Sequence, residues 1–503
     1  MTSVHEPVHD TVDARVPAAD LPFPAGLPVG SGWVDVAAHD VVAFPWDGSQ
    51  VARAPVGDAA LARRAVDEAD AVAGDVATLP SHARRRVLQR AHGALAARSR
   101  EVEDLLVLET GKPRVDCRVE VARTLLTLET AAEEVARLHG ETVPLDLLPS
   151  GEGLLGFWTR RPAGVVVGIA GYNYPLLLAS HKIAPALAAG CPVVCKPAPP
   201  TPLATLWLVA ELRAALAEVG APAAAVQLVT GDAQVGATLV EDPRVAVVSF
   251  TGSAEVGHRI ARAAAPRKAL LELGSNAALV VAPDADLDAA ADAGVRGGYY
   301  ASGQACIAVQ RVLVADDVRE AFLERLVPKV ASLVVGDPRD EATRVAPLID
   351  ERSTDRVLAW VAGAVDAGAR LLCGGDAADG GGGRRVVRPT VLADVPDGVP
   401  AWDEEVFGPV VCVRSVPDVE TAFDAVNRSR YGLHASVWTR SLATAMRAVD
   451  RLDVGGVVVN EVPGFRSDVM PYGGVKDSGI GREGPRFAIE EMTVTRMAII
   501  RPA

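Results

Sequence analysis

Cysteine is scarce in this 503-residue chain, and the spacing of the few cysteines argues against two common uses of the residue. The six cysteines are scattered, with no Cys-x-x-Cys pair and no Cys/His cluster at metal-ligand spacing. We therefore expect neither a disulfide framework nor a bound metal. Free thiols are typical of a reducing compartment, so the sequence predicts a cytoplasmic protein.

The chain also lacks a basic excess and a long apolar run. Lys+Arg 50 against Asp+Glu 64 gives a formal net charge of −14, which leaves no basic footprint for nucleic acid. The most apolar stretch, GVVVGIAGYNYPLLLAS at 164–180, is interrupted by Asn173 and Pro175 and does not resemble a membrane span. The acidic N-terminus has no apolar core of a signal peptide. We expect no membrane or nucleic-acid partner.

From residue 161 onward, short apolar segments alternate with helical ones. Strand-like runs such as CPVVCK, AVQLV and VAVVSF are each followed by an amphipathic or apolar helix, and a second alternation follows from residue 277. This pattern indicates parallel sheets covered on both faces. The length allows about two to four domains. Residues 374–385, GGDAADGGGGRR, are predicted to be a flexible surface loop.

Three segments carry cofactor-type signals of unequal weight. The Gly-x-Gly-x-x-Gly at 479–484 has no predicted strand before it and only nineteen residues after it, so a loop is favoured over a dinucleotide fingerprint. Gly252 and Ser253 follow a strand and lead into a helix whose N–H groups could bind a pyrophosphate, or form an ordinary turn. Lys196 ends another strand and is either a ribose or phosphate ligand or a solvated lysine.

Two further residues could carry covalent chemistry. Glu272 lies in the apolar segment LELGS, where burial would raise its pKa into the range of a general base; otherwise it faces water. Cys306 lies in GQACIAVQR and is either a nucleophile or an inert buried thiol. No papain-type signature surrounds it and the nearest preceding histidine is His258, so a nucleophile here needs partners other than histidine.

Taken in order, the motifs of this chain resemble those of the NAD(P)-dependent aldehyde dehydrogenases over nearly its whole length. LELGSN together with the last of these motifs looks most like the lactaldehyde, glyceraldehyde and phosphonoacetaldehyde dehydrogenase branch. The motifs are LETGKP, RRPAGVVVGIAGYNYP, CKPAPPTPL, FTGSAEVG, LELGSNAA, GQACIAVQR, EEVFGPV, YGLHASVWT and MPYGGVKDSGIGREG.

The resemblance implies an α/β fold with a Rossmann-like cofactor domain, a catalytic domain with a second parallel sheet, and a small β oligomerisation element. Sheet extension between subunits would cover an exposed edge strand, so a homodimer or homotetramer is implied. The implied boundaries are an N-terminal arm 1–30, an NAD(P)-binding domain 31–138 and 159–271, a catalytic domain 272–470, and an oligomerisation element 139–158 and 485–503.

The resemblance also implies a mechanism. Cys306, as a thiolate, would attack the aldehyde carbon, while the side-chain amide of Asn173 and the backbone N–H of Cys306 hold the oxyanion. Hydride transfer to NAD or NADP would leave a thioester. Glu272 would then activate the water that releases the acid. Branches that pass the acyl group to coenzyme A do not use this glutamate, so a hydrolytic dehydrogenase is implied.

The cofactor residues follow from the same resemblance. Lys196 and Glu405 would hold the riboses. Gly252 and Ser253 would bind the pyrophosphate. Thr251 and Phe407 would pack around the nicotinamide. Pro199 stands where NAD-preferring members often carry a glutamate, whose loss makes NADP possible. The choice between NAD and NADP therefore stays open.

The substrate mouth departs from members that act on apolar aldehydes. Arg466 and His181 stand where such enzymes place a phenylalanine and a tryptophan, so charge-assisted hydrogen bonds to a small polar or anionic aldehyde are expected. Ala305, where some phosphorylated-aldehyde enzymes have arginine, argues against a strongly anionic substrate. Arg466 could instead face solvent or pair with Asp468. The remaining pocket candidates are Tyr174, Arg123, Arg118 and Tyr472.

Three other functions compete with this one. The first is an aldehyde dehydrogenase for apolar or semialdehyde substrates. The second is a catalytically retired nucleotide-binding oligomer, which should have lost Cys306, Asn173 or Glu272, although all three are present. The third is a cysteine hydrolase, which the cofactor motifs disfavour.

Overall fold

The computed structural model describes residues 23–502, so most of the arm predicted at 1–30 lies outside the described residues. The first described part of the chain forms two antiparallel hairpins and then five helices. Helix α4 ends where Gly111 adopts φ 67°, a left-handed cap that glycine accepts without strain. The elements are β1 Leu27–Val29, β2 Gly32–Val34, β3 His39–Ala43, β4 Gln50–Pro55, α1 Ala59–Ala71, α2 Ala73–Thr78, α3 Ser81–Ala97, α4 Ser99–Thr110 and α5 Arg114–Glu134.

A small three-stranded sheet combines two distant parts of the chain. Its strands are β5 Glu141–Val143, β6 Leu155–Pro162 and, close to the C-terminus, β24 Thr493–Ile500. Strand β6 lies in the middle and pairs antiparallel with β24 over eight residues. Apolar side chains remain exposed on and beside this sheet, namely Leu147, Leu155, Met497, Ile499 and Ile500.

The first alternation of strands and helices forms a six-stranded sheet. Its strand order is β23-β11-β10-β7-β8-β9, with five parallel strands and β23, Gly479–Ile480, antiparallel at one edge. The prediction of a loop over 479–484 is therefore wrong for its first two residues, because Gly479 and Ile480 pair with Glu272 and Leu271. The other elements are β7 Val165–Ile169, α6 Pro175–Ala189, β8 Val193–Lys196, α7 Leu203–Glu218, β9 Val226–Leu228, α8 Ala233–Glu241, β10 Val245–Thr251, α9 Ala254–Ala264 and β11 Lys268–Glu272.

The second alternation forms a seven-stranded sheet of order β14-β17-β18-β13-β12-β20-β21, parallel except for β14. Beside it, β15 and β16 form an antiparallel hairpin, so residues 374–385 are not wholly a flexible loop as predicted. The elements are β12 Ala278–Val281, α10 Leu287–Tyr299, β13 Arg311–Ala315, α11 Arg319–Ala331, α12 Glu351–Asp366, β14 Arg370–Cys373, β15 Ala377–Asp379, β16 Arg385–Val387, β17 Thr390–Ala393, α13 Pro400–Asp403, β18 Val410–Val416, α14 Val419–Asn427, β19 Tyr431–Gly432, β20 His434–Trp438, α15 Leu442–Arg451, β21 Gly456–Val459, β22 Val475–Lys476 and α16 Pro485–Glu491.

Apolar cores cover both large sheets. One cluster packs helices α1 to α7 against the six-stranded sheet, and two further clusters lie against the seven-stranded sheet. The predicted α/β class with two parallel sheets and a small additional β element is confirmed. The exact domain boundaries stay a prediction. Between residues 23 and 502, no helix is both long and apolar enough to span a bilayer.

Candidate active site

The candidate residues of the six-stranded sheet lie at the carboxyl ends of its strands. Lys196 ends β8, Thr251 ends β10 and Glu272 ends β11, while Asn173 follows β7 after a short turn. Thr251 and Glu272 are paired in register. Since the carboxyl ends of parallel strands meet at one edge, the fold brings these side chains to the edge where α/β proteins bind ligands.

The segment that leads to Cys306 has an unusual backbone. Between α10 and β13, Ala301, Ser302 and Gly303 take φ values of 48°, 56° and 74°, a left-handed conformation that is costly for residues with a Cβ. Gly303 is also required by space, because a Cβ there would lie 2.1 Å from the Gly408 oxygen. Asp116 of α5 accepts a hydrogen bond from Ala301 N at 3.0 Å. The turn is thus held from several sides.

The Cys306 thiol lies in contact with Tyr472. Its Sγ is 3.3 Å from the Tyr472 hydroxyl oxygen. Burial raises the pKa of Cys306 to about 12, although the hydrogen bond from Tyr472 opposes the shift. In the absence of a ligand, the sulfur is therefore a neutral thiol at physiological pH.

Asn173 lies against the cysteine segment. Its Nδ2 donates to the carbonyl oxygen of Gln304 at 2.8 Å, two residues before Cys306. Within residues 23–502 this bond uses one of the two amide N–H groups. The structure therefore brings Asn173 and Cys306 together and leaves one amide donor for a further acceptor.

Glu272 is buried, and the alternative in which it faces water is wrong. Its side chain belongs to a residue that is 5% exposed, and Oε2 has no hydrogen-bond partner within the described chain. Burial, and then the negative charge of Glu483, raise the pKa of Glu272 well above its ordinary value. Burial therefore favours the protonated carboxyl over the carboxylate.

A buried ionic cluster surrounds Glu483, which the sequence did not single out. Its Oε1 pairs with Lys182 Nζ at 3.1 Å, and its Oε2 lies 3.2 Å from both His181 Nδ1 and Arg466 Nη2. Burial opposes ionisation, but these groups hold the pKa of Glu483 well below its ordinary value. Lys182 also donates to Thr251 Oγ1 at 2.7 Å. A lysine within the wholly buried helix α6 is the sequence signal that could have revealed this cluster.

Arg466 does not face solvent; it pairs with two carboxylates. Its Nε lies 3.3 Å from Asp468 Oδ1 in addition to the contact with Glu483. Asp468 also accepts a bidentate bond from Arg123, at 3.0 and 2.7 Å, and lies 3.2 Å from His181 Nε2. Arg123, His181 and Arg466 therefore do come together, but around acidic partners.

Two further pocket candidates have partners outside the cluster. Arg118 is exposed and pairs with Glu341 at 2.7 Å, because it lies five positions before Arg123 on the helix and so points to another face. The structure therefore does not bring Arg118 to the cluster. Tyr174 is buried, with the Lys112 ammonium 3.7 Å from its ring centroid.

The residues predicted for the phosphates and a ribose form an open corner of the sheet. Lys196 is buried, so the solvated alternative is wrong, and it forms no ion pair with a carboxylate of residues 23–502. Burial lowers its pKa. Ser253 caps the eleven-residue helix α9, and Gly252 before it has no room for a Cβ because Phe250 Cζ would lie 2.4 Å away. The Gly252 N–H already donates to the Glu272 carbonyl oxygen at 3.0 Å, so a pyrophosphate and its ribose would rely on the N–H groups of the first turn of α9 and on the unmatched Lys196.

Glu405 and Phe407 share a cavity with Cys306. The cavity is also lined by Ser275, whose N–H donates to Glu405 Oε1 at 3.0 Å. Burial raises the pKa of Glu405 to about 7. Phe407 has φ 49° and packs edge-to-face on Tyr172 at 5.8 Å between ring centroids. The residues present fit NAD(P): Glu405 and Phe407 would hold it in the cavity that Cys306 also lines, where it would supply a hydride acceptor.

Comparisons with known proteins agree with this geometry. Residues 33–498 match the model of the aldehyde dehydrogenase family. A 3-sulfolactaldehyde dehydrogenase of Priestia aryabhattai is 42% identical over 84% of this chain and 87% of its own length. A lactaldehyde dehydrogenase of Methanococcus aeolicus is 36% identical over 83% and 87%. A solved glyceraldehyde-3-phosphate dehydrogenase of Methanocaldococcus jannaschii, in complex with NADP, is 34% identical, with a TM-score of 0.88 over 93% of this chain and 100% of that one.

Proposed function

The chain belongs to the aldehyde dehydrogenase family, and from this we propose that it oxidises a small polar or anionic aldehyde to its carboxylic acid with NAD+ or NADP+. The observation that carries the proposal is the placement of Cys306 in one cavity with Glu405 and Phe407, beside Asn173. The same edge of the molecule therefore offers a nucleophile, an amide donor and a cofactor surface.

The first half of the reaction is assigned to Cys306 and Asn173. The Cys306 thiol passes its proton to water, the sulfur then bonds to the aldehyde carbon, and the carbonyl oxygen takes the π electron pair and becomes an oxyanion. The free N–H of Asn173 and the backbone N–H of Cys306 stabilise that oxyanion, each donor lowering the barrier by about 3 kcal/mol. Bound NAD(P)+ supplies a hydride acceptor, and the product on the enzyme is a Cys306 thioester.

The second half is assigned to Glu272. In its ionised form the carboxylate takes a proton from water, whose oxygen bonds to the thioester carbon. The carbon–sulfur bond then breaks, the acid leaves, and the sulfur is restored. The burial of Glu272 and its unpartnered Oε2 support this role, because a raised pKa makes the carboxylate a stronger base.

The substrate class is supported by two independent observations. Arg123, His181 and Arg466 give the region beside Tyr472 a polar, cation-rich character. The relatives are named for lactaldehyde, sulfolactaldehyde and glyceraldehyde-3-phosphate, which are small and polar or anionic. The carboxylates of Asp468 and Glu483 already engage the arginines, so a substrate anion would have to share them.

Three finer properties complete the proposal. Pro199 is exposed and offers no carboxylate to a 2′-phosphate, which is compatible with NADP as well as NAD. The exposed apolar residues on the β24–β6–β5 sheet support a homodimer or homotetramer formed through that sheet. The six free cysteines support a cytoplasmic location.

An aldehyde panel with each cofactor tests the proposal. We expect lactaldehyde, glycolaldehyde, succinic semialdehyde or phosphonoacetaldehyde to give reduced cofactor, read at 340 nm, with a higher kcat/KM than hexanal. Cys306→Ala should abolish turnover because the nucleophile is lost, while the affinity for reduced cofactor, read by its fluorescence, stays within about twofold of the wild type. Full turnover by Cys306→Ala, or a preference for hexanal, would refute the mechanism or the substrate class respectively.

A further inference from the structure

The hydroxyl of Tyr472 is buried and has a single side-chain partner. The residue is 2% exposed, and within the described chain its only side-chain hydrogen bond joins it to Cys306 Sγ, at 3.3 Å. A tyrosine hydroxyl in an apolar interior requires a partner. Here that partner is the atom proposed to react.

The ring of Tyr472 is fixed on all sides. Its backbone exchanges two hydrogen bonds with Glu483, of 3.0 and 2.6 Å. His434 packs edge-to-face at 5.1 Å between ring centroids, and the Arg466 guanidinium carbon lies 3.7 Å from the ring centroid. The hydroxyl is therefore aimed at the sulfur by contacts that do not depend on substrate.

We propose that Tyr472 is a catalytic residue that donates its O–H to the Cys306 thiolate and so increases the fraction of enzyme that is ready to attack. The proposal rests on the proposed function only in taking Cys306 as the nucleophile. A thiolate has no proton to donate, so once the sulfur is ionised the hydroxyl must be the donor. A hydrogen bond to an ionised acceptor is about twice as strong as a neutral one, so the contact favours the thiolate over the thiol.

The other charged and titratable groups around the sulfur set the background for this effect. When they are ionised, the Glu405 and Glu272 carboxylates disfavour the thiolate, whereas the Arg466 guanidinium favours it. Tyr300 is a further neighbour of the sulfur, and its buried hydroxyl has no hydrogen-bond partner in residues 23–502. Among these groups, Tyr472 alone lies within hydrogen-bond distance of Sγ, at 3.3 Å. Because Arg466 lies over the ring of Tyr472, its charge also makes that hydroxyl a better donor.

Alkylation of the free enzyme tests the proposal without any aldehyde or cofactor. The rate at which iodoacetamide modifies Cys306 is followed between pH 7 and 9 by mass spectrometry of the peptide that contains it. For Tyr472→Phe, loss of a hydrogen bond to the charged form is expected to lower the thiolate fraction about tenfold, and the more basic sulfur recovers a factor of about three. We therefore expect alkylation to slow about threefold at every pH in this range, and kcat/KM to fall with it.

Tyr300→Phe is the matched control, since it removes a buried hydroxyl near the sulfur that does not bond to Sγ. We expect its alkylation rate to equal that of the wild type. Unchanged or faster alkylation in Tyr472→Phe would overturn the proposal, as would an equal slowing in both variants. Unchanged reduced-cofactor affinity and melting temperature verify that Tyr472→Phe is folded. If no aldehyde is oxidised but alkylation still slows, the proposed function fails and the hydrogen bond stands.

Discussion

At Cys306 the chain places a proposed nucleophile where burial opposes its ionisation. Burial raises the pKa of the thiol to about 12, and it also raises the pKa of the nearby Glu272 carboxyl well above its ordinary value. Two neutral groups avoid the repulsion that a thiolate and a carboxylate would suffer side by side. Ionisation of the Cys306 thiol must therefore be stabilised by the Tyr472 hydroxyl, by the charge of Arg466 and by a cationic ligand.

Glu272→Gln separates the two halves of the reaction at the scale of one residue. The amide cannot take a proton from water, so we expect a first burst of reduced cofactor of normal size, followed by turnover at least about 100-fold slower. Stopped-flow absorbance at 340 nm measures both phases. The control is Glu255→Gln, which changes an exposed glutamate of α9. Its burst size and its steady-state rate should equal those of the wild type. A steady-state rate equal to that of the wild type would remove Glu272 from the mechanism.

The individual site residues differ in how far the sequence could predict them. Cys306, Glu272 and Asn173 belong to short motifs whose order along the chain carries the resemblance. The ionic cluster has only one local signal, the lysine in the apolar sequence of α6, because its contacts join residues far apart in sequence; His181 and Asp468 are 287 positions apart. Charged residues that neutralise one another only in the folded chain look like separate substrate contacts in a sequence.

At the scale of elements, two buried glutamates fix the helices that carry the site. Glu120 of α5 accepts from Leu176 N and Leu177 N at the start of α6, at 2.9 and 3.1 Å. Glu109 of α4 accepts from Leu203 N and Ala204 N at the start of α7, at 2.8 and 3.0 Å. Helix N-termini carry unpaired N–H groups and partial positive charge, so a carboxylate stabilises them.

The two caps differ in their counter-ions, which gives a matched pair of variants. Glu120 forms a buried ion pair with Lys112, whereas Glu109 does not. We expect Glu120→Gln to lower the free energy of unfolding by about 3–5 kcal/mol, because a buried ammonium loses its partner. Glu109→Gln should lower it by only about 1 kcal/mol, because it only weakens the helix cap. Melting temperatures at pH 7 compare them. Equal losses would show that the ion pair adds nothing beyond the cap.

The same pair carries a pH signature. Burial raises the folded-state pKa of Glu109 to about 8, above its value in the unfolded chain. A raised pKa gives stability that is complete at low pH and is lost as pH rises through the folded pKa. Between about pH 5 and 8 the wild type should therefore lose stability relative to Glu109→Gln, and the melting temperatures of the two should converge.

The turn before Cys306 shows where element-scale prediction fails. The sequence SGQ indicates a turn, and position 303 requires glycine because the Gly408 backbone approaches it too closely for a Cβ. Nothing local requires Ala301 and Ser302 to be left-handed, since neither is a glycine or an asparagine. Their conformation is imposed by partners from other elements, such as Asp116.

At the scale of the whole molecule, the periodic strands predicted two parallel sheets but not how the sheets end. Runs of apolar β-branched residues followed by helices are a strong local signal. Strand β23 has only two residues and lies more than 200 positions from its partner β11, so no local pattern could reveal it. Long-range edge pairing is decided by tertiary packing.

The small three-stranded sheet gives a prediction about assembly. A charge placed on its exposed apolar surface would be buried at a subunit contact, so we expect Ile499→Asp to weaken self-association at least roughly tenfold. Leu442→Asp, which charges an exposed position on α15, is the control. Light scattering after size exclusion at several concentrations reads the mass. A wild type that is monomeric throughout would contradict the proposed oligomer.

The pairing of β23 with β11 and of β24 with β6 has a consequence for the order of biosynthesis. Ribosomal synthesis delivers the N-terminal parts first, and domains generally fold as units while they emerge. Glu272 and its strand are made early, but the strand stays an open sheet edge until Gly479 and Ile480 are added. A chain that is still being translated, or that ends before residue 479, already contains Asn173, Glu272 and Cys306 but lacks strand β23. In such chains the edge of β11, which carries Glu272, still lacks its antiparallel partner.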